Sequence, residues 1–175
     1  MLTEILAITL FLIAALLVYA ATKPDTFRFE RSTVIKAPPE KIFPLIDDLH
    51  AWSAWSPWEK KDPGMKRIFT GPQNGPGATY RWEGNKNIGV GSMAITETVP
   101  PGKVVIRLDF VKPFEAHNIV EFNLLPQDGG TLVTWVMHGP MPYVSKLMTT
   151  FFSMDKMCGK DFESGLAQLK AVAES

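Results

Sequence analysis

The stretch FRFERSTVIKAPPEKIF, residues 27–43, decides how the folded domain begins. Its first part alternates between polar residues and apolar or β-branched ones, which predicts a β-strand over residues 27–37. Ala37-Pro38-Pro39-Glu40 then turns the chain, and Pro39 suits the first turn of a helix, where a missing N–H costs no hydrogen bond. We therefore expect a strand that leads directly into a short helix, with an apolar side made of Ile42, Phe43, Leu45, Ile46 and Leu49.

Six strand-like runs follow, after the Trp-rich segment AWSAWSPW (residues 51–58), for which we expect a short helix and then a loop. The runs are residues 65–70, 78–83, 91–99, 103–111, 115–125 and 131–138. The connectors at 100–102 and 127–130 carry glycine, which tolerates the positive φ of hairpin turns. Because short turns between consecutive strands impose antiparallel pairing, the runs predict an antiparallel meander rather than a doubly wound parallel sheet.

The C-terminal part, after Gly139-Pro140-Met141-Pro142, predicts one helix of about thirty residues that continues to the end of the chain. Apolar residues recur there at spacings of three and four, which gives one broad apolar stripe. The stripe consists of Val144, Leu147, Met148, Phe151, Met154, Cys158, Phe162, Leu166 and Leu169. An α+β domain follows from these elements, with a curved antiparallel sheet of about seven strands around a long C-terminal helix. This arrangement is a helix-grip fold, and it leaves a space between sheet and helix.

Residues 5–21, ILAITLFLIAALLVYAA, carry no charge and predict a transmembrane helix. A helix of this length spans about 25 Å, and Leu2 and Thr3 extend it toward the thickness of a hydrocarbon core, about 30 Å. The alternative is a cleavable signal peptide, since Val18-Tyr19-Ala20 resembles a cleavage site, but the positively charged n-region of such peptides is missing. We expect a transmembrane anchor over residues 1–23 and the helix-grip domain over residues 24–175.

Basic residues follow the apolar segment, and none precedes it. They are Lys23, Arg28, Arg31 and Lys36. Under the positive-inside rule, the folded domain faces the cytoplasm and the N-terminus lies outside. The sequence therefore predicts a single-pass membrane protein that makes its membrane contact through residues 5–21.

Charge and motif content exclude several classes of function. The 18 basic residues balance 18 acidic ones, with no basic run, so nucleic acid is not an expected partner. One cysteine, Cys158, cannot form an internal disulfide or a thiolate metal cluster. The three histidines, His50, His117 and His138, are too scattered for a metal motif, and no G-x-S-x-G nucleophile motif occurs. We expect no metal site and no cofactor, and we assign no catalytic residue.

The order of elements, together with four sequence segments, resembles the START-related or polyketide-cyclase/dehydrase-like (SRPBCC) superfamily. The segments are STVIKAPPEKIF (32–43), WSAWSPW (52–58), YRWEGNKNIGVGSMAITE (80–97) and SMDKMCGKDFESGLAQLK (153–170). The likeness covers residues 27–173, almost the whole of the folded domain. Members of this superfamily mostly enclose lipids, sterols, hormones, polyketides or quinone-like molecules beneath the long helix, and a minority are enzymes. The resemblance implies an apolar binding cavity without naming its occupant.

Strand parity indicates which side chains face the long helix, because alternate residues of a strand point to opposite faces. Tyr80 and Trp82 share one face of their run, and the neighbouring strands and the helix add further aromatic and methionine side chains. The predicted lining is Tyr80, Trp82, Met93, Ile95, Phe110, Asn118, Phe122, Trp135, Met137, Met148, Phe151 and Met154. The alternative for each of these residues is that it fills an ordinary core.

Three functional hypotheses follow. The first is a membrane-tethered binding protein for an apolar small molecule such as a lipid, a quinone-like compound or another hydrophobic metabolite. The second is an accessory subunit of a larger membrane protein complex, for which an exposed Trp-rich segment 51–58 offers a contact surface, unless that segment closes one end of the cavity. The third is a cyclase- or dehydratase-type enzyme, with Tyr80, Asn118 and His138 as the inward polar candidates.

Overall fold

Strands and helices follow one another along the chain in nearly the predicted order. The computed structural model describes residues 1–151 and 153–175, and in that range it describes all side chains except those of residues 154, 156 and 157. The helices are α1 (Leu2–Ala21), α2 (Pro39–Asp47), α3 (Tyr143–Met148) and α4 (Met154–Glu174), with 3-10 helices at Ala51–Ala54 and Pro57–Lys60. The strands are β1 (Thr26–Ile35), β2 (Lys66–Thr70), β3 (Thr79–Glu83), β4 (Val90–Val99), β5 (Lys103–Lys112), β6 (Ala116–Gln127) and β7 (Gly130–Pro140).

The seven strands form one antiparallel sheet in the order β1-β7-β6-β5-β4-β3-β2. Consecutive strands pair from β2 to β7, which confirms the predicted meander. The first strand pairs with the last, in a register that places Phe29 opposite Met137. This pairing joins the two ends of the domain, and the helix-grip fold that the sequence predicts is confirmed.

α4 packs against the concave face of this sheet and completes the core. Phe162, Leu166 and Leu169 are each at most 2% exposed, as the three-and-four spacing of the apolar stripe requires. The Phe162 ring stacks on Trp135 of β7 with 4.1 Å between ring centroids, and Phe122 of β6 lies 4.8 Å from the same indole. Aromatic packing therefore joins α4 to β7 and β6, beside the first strand of the sheet.

The predicted thirty-residue C-terminal helix is wrong, because the chain forms two helices there. α3 ends at Met148, and the hydroxyls of Thr149 and Thr150 both donate to the Lys146 carbonyl, at 3.0 and 3.1 Å. Side-chain hydrogen bonds of this kind compete with helix continuation. α4 begins at Met154, and α3 packs against α1 instead of extending α4 along the sheet.

The Trp-rich segment is not an exposed contact surface, which corrects that part of the accessory-subunit hypothesis. Trp52 and Trp55 are 3% and 0% exposed. Their indole N–H groups donate to the carbonyls of Ile46 and Leu45, at 2.9 and 2.8 Å, so they satisfy carbonyls that the end of α2 leaves without helical partners. Both indoles therefore belong to the core.

α1 is the one helix in the described part of the chain that is long and apolar enough to cross a membrane. It has 20 residues with a mean hydropathy of 2.4, and nearly all of its surface is exposed. A signal sequence near an N-terminus meets the same criterion. At its C-terminal end the helix touches the domain, where Ala20 is fully buried and Tyr143 of α3 donates its hydroxyl to the Leu17 carbonyl at 2.9 Å.

Gly165 allows α4 to approach the sheet closely, and its replacement tests that contact. A Cβ at position 165 would lie 2.7 Å from the Trp135 ring, whereas a Cβ at Gly159 in the same helix would meet the guanidinium end of Arg31, a long side chain that can shift. We expect Gly165→Ala to lower the free energy of unfolding by about 1–2 kcal/mol, because the overpacking cost exceeds the gain in helix propensity. Gly159→Ala, the matched control, should leave stability unchanged or raise it by up to about 1 kcal/mol. Urea unfolding in mild detergent, followed by Trp fluorescence, measures both; a Gly165→Ala protein as stable as the Gly159→Ala control contradicts the packing described.

Candidate ligand cavity

A cavity of about 160 Å³ lies between the concave face of the sheet and α4. The second 3-10 helix and the segment before it close one side. Its walls are almost entirely apolar, with aromatic rings and methionines as the main contributors. They consist of Trp52, Ser56, Trp58, Glu59, Met65, Tyr80, Trp82, Ile88, Met93, Leu108, Phe110, Val120, Trp135, Met137, Cys158, Asp161 and Phe162.

Half of the predicted lining residues stand around this cavity. Tyr80, Trp82, Met93, Phe110, Trp135 and Met137 come from four different strands, and each is on the inward face that strand parity indicates. Ile95 and Phe122 are buried at 1% and 0% exposure but pack in the core beside the cavity. Asn118, 6% exposed, packs its amide over Gly139 and also lies outside the cavity wall.

Met148 and Phe151 do not line the cavity, which corrects the prediction for both. They are 45% and 66% exposed. The prediction placed them on a continuous C-terminal helix, but the chain leaves the sheet at α3, so both residues lie on the outside of the domain. The side chain of Met154 lies outside the described residues.

Two polar residues of the cavity wall, Tyr80 and Glu59, form a hydrogen-bonded group with Arg67, which lies behind the wall. Tyr80 donates its hydroxyl to Glu59 Oε1 at 2.7 Å, and Arg67 Nε donates to Glu59 Oε2 at 2.7 Å. The Glu59 side chain is 9% exposed, so its charge depends on these two donors. Arg67 is held in turn by the Met65 carbonyl, to which it donates at 2.9 Å. Tyr80 was predicted from parity, whereas Glu59 carries no sequence signal because it follows the Trp-rich segment in no recognisable motif.

Burial and the hydrogen bond to Glu59 raise the pKa of Tyr80 far above its ordinary value. The phenol therefore stays protonated and remains a donor throughout the physiological range. Burial also raises the pKa of Cys158, a half-buried residue of the cavity wall, which keeps its thiol neutral. The indole N–H of Trp135 is buried and has no hydrogen-bond partner among the described residues. The cavity thus combines largely apolar walls with the Tyr80–Glu59 pair and with Asp161, which pairs with Lys61 at 2.6 Å.

The histidines lie away from the cavity. His138 pairs with Glu121 at 3.0 Å, and both project from the outward-facing positions of their strands. His50 pairs with Asp48 at 2.9 Å and His117 with Asp109 at 2.8 Å. Within the described part of the chain, no three histidine, cysteine, aspartate or glutamate side chains come close enough to share a metal ion.

A larger groove of about 500 Å³ lies on the outside of the domain. Leu49, His50, residues 69–73, Ala78 and Thr79 line it. The groove is open, and polar loop groups make up much of its wall, so it does not shield an apolar molecule from water. The cavity beneath α4, with its largely apolar wall, is the better candidate for a ligand site.

Tyr80→Phe tests the polar wall through the pH dependence of stability. A group whose pKa is raised on folding stabilises the protein below its unfolded pKa, about 10 for tyrosine, and that contribution is lost as the pH rises above it. We expect Tyr80→Phe to lose about 1–2 kcal/mol at neutral pH, because a hydrogen bond to a carboxylate is removed. Its unfolding free energy should then fall less steeply than that of the wild type between about pH 9 and about pH 11.5. Parallel curves for the two proteins would show that Tyr80 is not held in this way.

Comparisons with known proteins agree with the geometry. No curated protein sequence matches the chain. Among solved structures, protein CV1439 from Chromobacterium violaceum is 19% identical with a TM-score of 0.60, and the match covers 87% of this chain and 99% of that one. The Aha1 dimer from Colwellia psychrerythraea is 16% identical with a TM-score of 0.60, over 85% and 96% of the two chains. The di-domain ARO/CYC BexL from the BE-7585A biosynthetic pathway is 13% identical with a TM-score of 0.62, over 90% of this chain and 53% of that one.

At these identities the solved structures establish the shared fold alone. A family model matches the chain's own sequence from residue 26 to residue 174, and its description is polyketide cyclase / dehydrase and lipid transport. The matched range begins at β1 and ends with α4, so it contains the whole sheet and the cavity beneath the helix. The chain belongs to the polyketide cyclase/dehydrase and lipid transport family, in which binding a hydrophobic molecule or cyclising one are the functions to be expected.

Proposed function

We propose that this protein is a membrane-tethered binding protein for a compact apolar molecule that carries a hydrogen-bond acceptor. The observation that carries the proposal is the apolar cavity beneath α4, whose wall includes the Trp135 indole with a buried N–H that has no partner among the described residues. A cavity with such walls excludes water and favours an apolar guest. Membership of a family with lipid transport in its description supports the same assignment.

The volume of the cavity limits what it can enclose. Ligand pockets commonly measure about 300–1,000 Å³, and an engineered apolar cavity of about 150 Å³ in another protein holds benzene. The cavity here, about 160 Å³, therefore accepts a single ring or a short hydrocarbon segment. A longer molecule would place one end in the cavity and keep the remainder outside, unless α4 moves away from the sheet.

Hydrogen bonding in the cavity favours a carbonyl-bearing ligand. The Trp135 N–H has no acceptor among the described residues, and leaving such a group unsatisfied costs about 1–3 kcal/mol. The group is buried behind the cavity wall, so a ketone, quinone-like or ester carbonyl supplies that acceptor when flexible side chains such as Met137 move aside. Tyr80 directs its proton to Glu59, so its oxygen is available to a donor on the ligand.

α1 is the proposed membrane tether. Its 20 residues span about 30 Å as a helix, which equals the thickness of a hydrocarbon core. A retained helix is supported by its contacts with the domain, namely the buried Ala20 and the hydrogen bond from Tyr143 to the Leu17 carbonyl, which cleavage would remove. The basic residues that follow α1 favour a cytoplasmic domain. A tether of this kind holds the cavity beside the bilayer in which apolar ligands dissolve.

A cyclase- or dehydratase-type enzyme is the second candidate, favoured by the pairing of Glu59 with Tyr80 at the cavity wall. The pair offers a proton acceptor and a proton donor 2.7 Å apart beside an apolar space, as acid–base chemistry on a bound carbonyl compound requires. Conversion of the bound molecule that Glu59→Gln abolishes without releasing the molecule would favour this candidate. Retention without conversion favours binding alone.

Extraction of the protein from membranes tests the binding function. We expect mass spectrometry of protein purified in mild detergent to show a co-purifying apolar carbonyl compound. Met93→Trp and Met137→Phe enlarge side chains in the cavity wall and should lower the amount of bound compound several-fold, because they fill the space it occupies. Leu125→Trp, at a position 58% exposed on the outside of the domain, is the matched control.

The folding of each variant is checked by urea unfolding, so that loss of the compound is not confused with loss of the fold. Equal recovery of the compound from the two cavity variants and from the Leu125→Trp control would contradict binding beneath α4.

The intact mass of the membrane-extracted protein tests the tether. A retained anchor predicts the mass of the full 175-residue chain. A mass that lacks the first twenty or so residues would identify α1 as a signal sequence and would remove the tether from the proposed function.

A further inference from the structure

The short helix α3 turns its charged residue inward and its apolar residues outward, which is the reverse of a helix on a water-facing surface. Lys146 is 7% exposed, and its ammonium group donates to Asp25 at 2.5 Å. Val144, at 66% exposure, and Met148, at 45%, are four residues apart and share the outer face of the helix. Phe151, which is 66% exposed, continues the row because its N–H bonds to the Met148 carbonyl at 3.0 Å and prolongs the turn. We call these three side chains the α3 stripe.

α3 is fixed to the end of α1 by several hydrogen bonds. The Tyr143 hydroxyl donates to the Leu17 carbonyl at 2.9 Å, and the Lys23 ammonium group donates to the Thr149 hydroxyl at 3.3 Å. Together with the Lys146–Asp25 ion pair, these contacts join both ends of α3 to the last turn of α1 and the linker after it. The α3 stripe is therefore held at the level where α1 leaves the domain.

The hydrogen bond from Tyr143 to Leu17 shows how far from the end of α1 the helix α3 lies. Leu17 lies four residues before the end of the helix, about 6 Å along its axis. In a bilayer crossed by α1, that distance places Tyr143 in the interfacial layer, where amphipathic tyrosine rings are enriched. The neighbouring α3 stripe then faces the boundary between head groups and acyl chains.

The end of the sheet that lies next to α1 carries another exposed apolar side chain. β1 begins and β7 stops at this end, and the hairpin between β5 and β6 turns there, as the pairing of Thr26 with Pro140 and of Phe110 with Ala116 requires. Phe114, at the tip of that hairpin, is 67% exposed. Because β6 lies beside β7 in the sheet, this tip is about 10–15 Å from the end of α1.

We propose that the α3 stripe and Phe114 dock on the surface of the bilayer that α1 crosses, so that the domain lies against the membrane instead of moving freely on its linker. This inference rests on the proposed membrane tether. A lipid surface is the occupant that the contacts favour, because the stripe is continuous with the lipid-facing surface of α1 and has the amphipathic character of an interfacial helix.

Docking in this way would set the position of the cavity. Trp82 and Phe110 lie within two residues of the ends of their strands at the bilayer-facing end of the sheet, and Ile88 lies in the loop between β3 and β4 at the same end. The ligand cavity therefore lies close to the end of the sheet that faces the bilayer. An apolar molecule leaving the bilayer there would have a short path to the space beneath α4.

Fluorescence quenching in vesicles tests the docking. The full chain carrying Cys158→Ser receives one new cysteine, labelled with an environment-sensitive fluorophore, and is reconstituted into phosphatidylcholine vesicles. The new positions are Val144→Cys and Phe151→Cys in the stripe, Leu125→Cys as an equally apolar, exposed control at the opposite end of the sheet, and Leu10→Cys in the middle of α1. Lipids with a nitroxide near the head group, lipids with a nitroxide at the end of an acyl chain and aqueous iodide serve as the three quenchers.

We expect the head-group nitroxide to quench labels at 144 and 151 several-fold more than the label at 125, with the reverse order for iodide. A label at position 10 that the acyl-chain nitroxide quenches, together with labels at 144 and 151 that behave like the one at 125, overturns the docking and leaves the tether intact. A label at position 10 that neither nitroxide quenches overturns the tether, and the docking with it.

Discussion

The contact between α4 and Trp135 is the interaction on which the rest of the structure depends. Gly165 lets the helix approach the indole, Phe162 stacks on it at 4.1 Å, and Trp55 meets it edge-on at 5.7 Å. Aromatic pairs in these geometries add about 0.5–1.5 kcal/mol each beyond the burial of their area. One fully buried ring thus joins the strand that closes the sheet, the helix that covers it and the Trp-rich segment after α2.

The same packing explains why a cavity remains elsewhere under the helix. Rigid indole rings fill the half of the concave face near Trp135 and hold α4 at a fixed distance from the sheet. Toward β3, β4 and β5 the wall combines the rings of Trp82 and Phe110 with flexible side chains such as Met93, and about 160 Å³ remains unfilled. Trp135 both anchors α4 and lines the cavity, and its buried N–H has no partner among the described residues. Stability and the proposed binding of a carbonyl compound therefore depend on the same residue.

Backbone periodicity explains what the sequence predicted and what it could not predict. The strands alternate with a period fixed by the pleat, so parity placed Tyr80, Trp82 and Met137 on the inner face. Glu59 reaches Tyr80 only through the tertiary position of a 3-10 helix, which no local pattern encodes. The stripe from Val144 onward keeps helical spacing across the break after Met148, so periodicity predicted one helix where packing on α1 produces two. The burial of the tryptophans depends on carbonyls at the end of α2, which lie out of reach of a motif-based prediction.

The family to which the chain belongs gives the fold and the kind of cavity, while α1, α3 and the polar wall are features of this chain that specify the proposed function further. The proposed function depends on one claim, that the space beneath α4 holds an apolar molecule. The most direct measurement is a crystal structure of the protein purified from membranes in mild detergent without removal of bound lipids. The account predicts continuous density beneath α4, with an acceptor atom within hydrogen-bond distance of Trp135 Nε1. A cavity without such density, in protein whose sheet and α4 are packed as described, would contradict it.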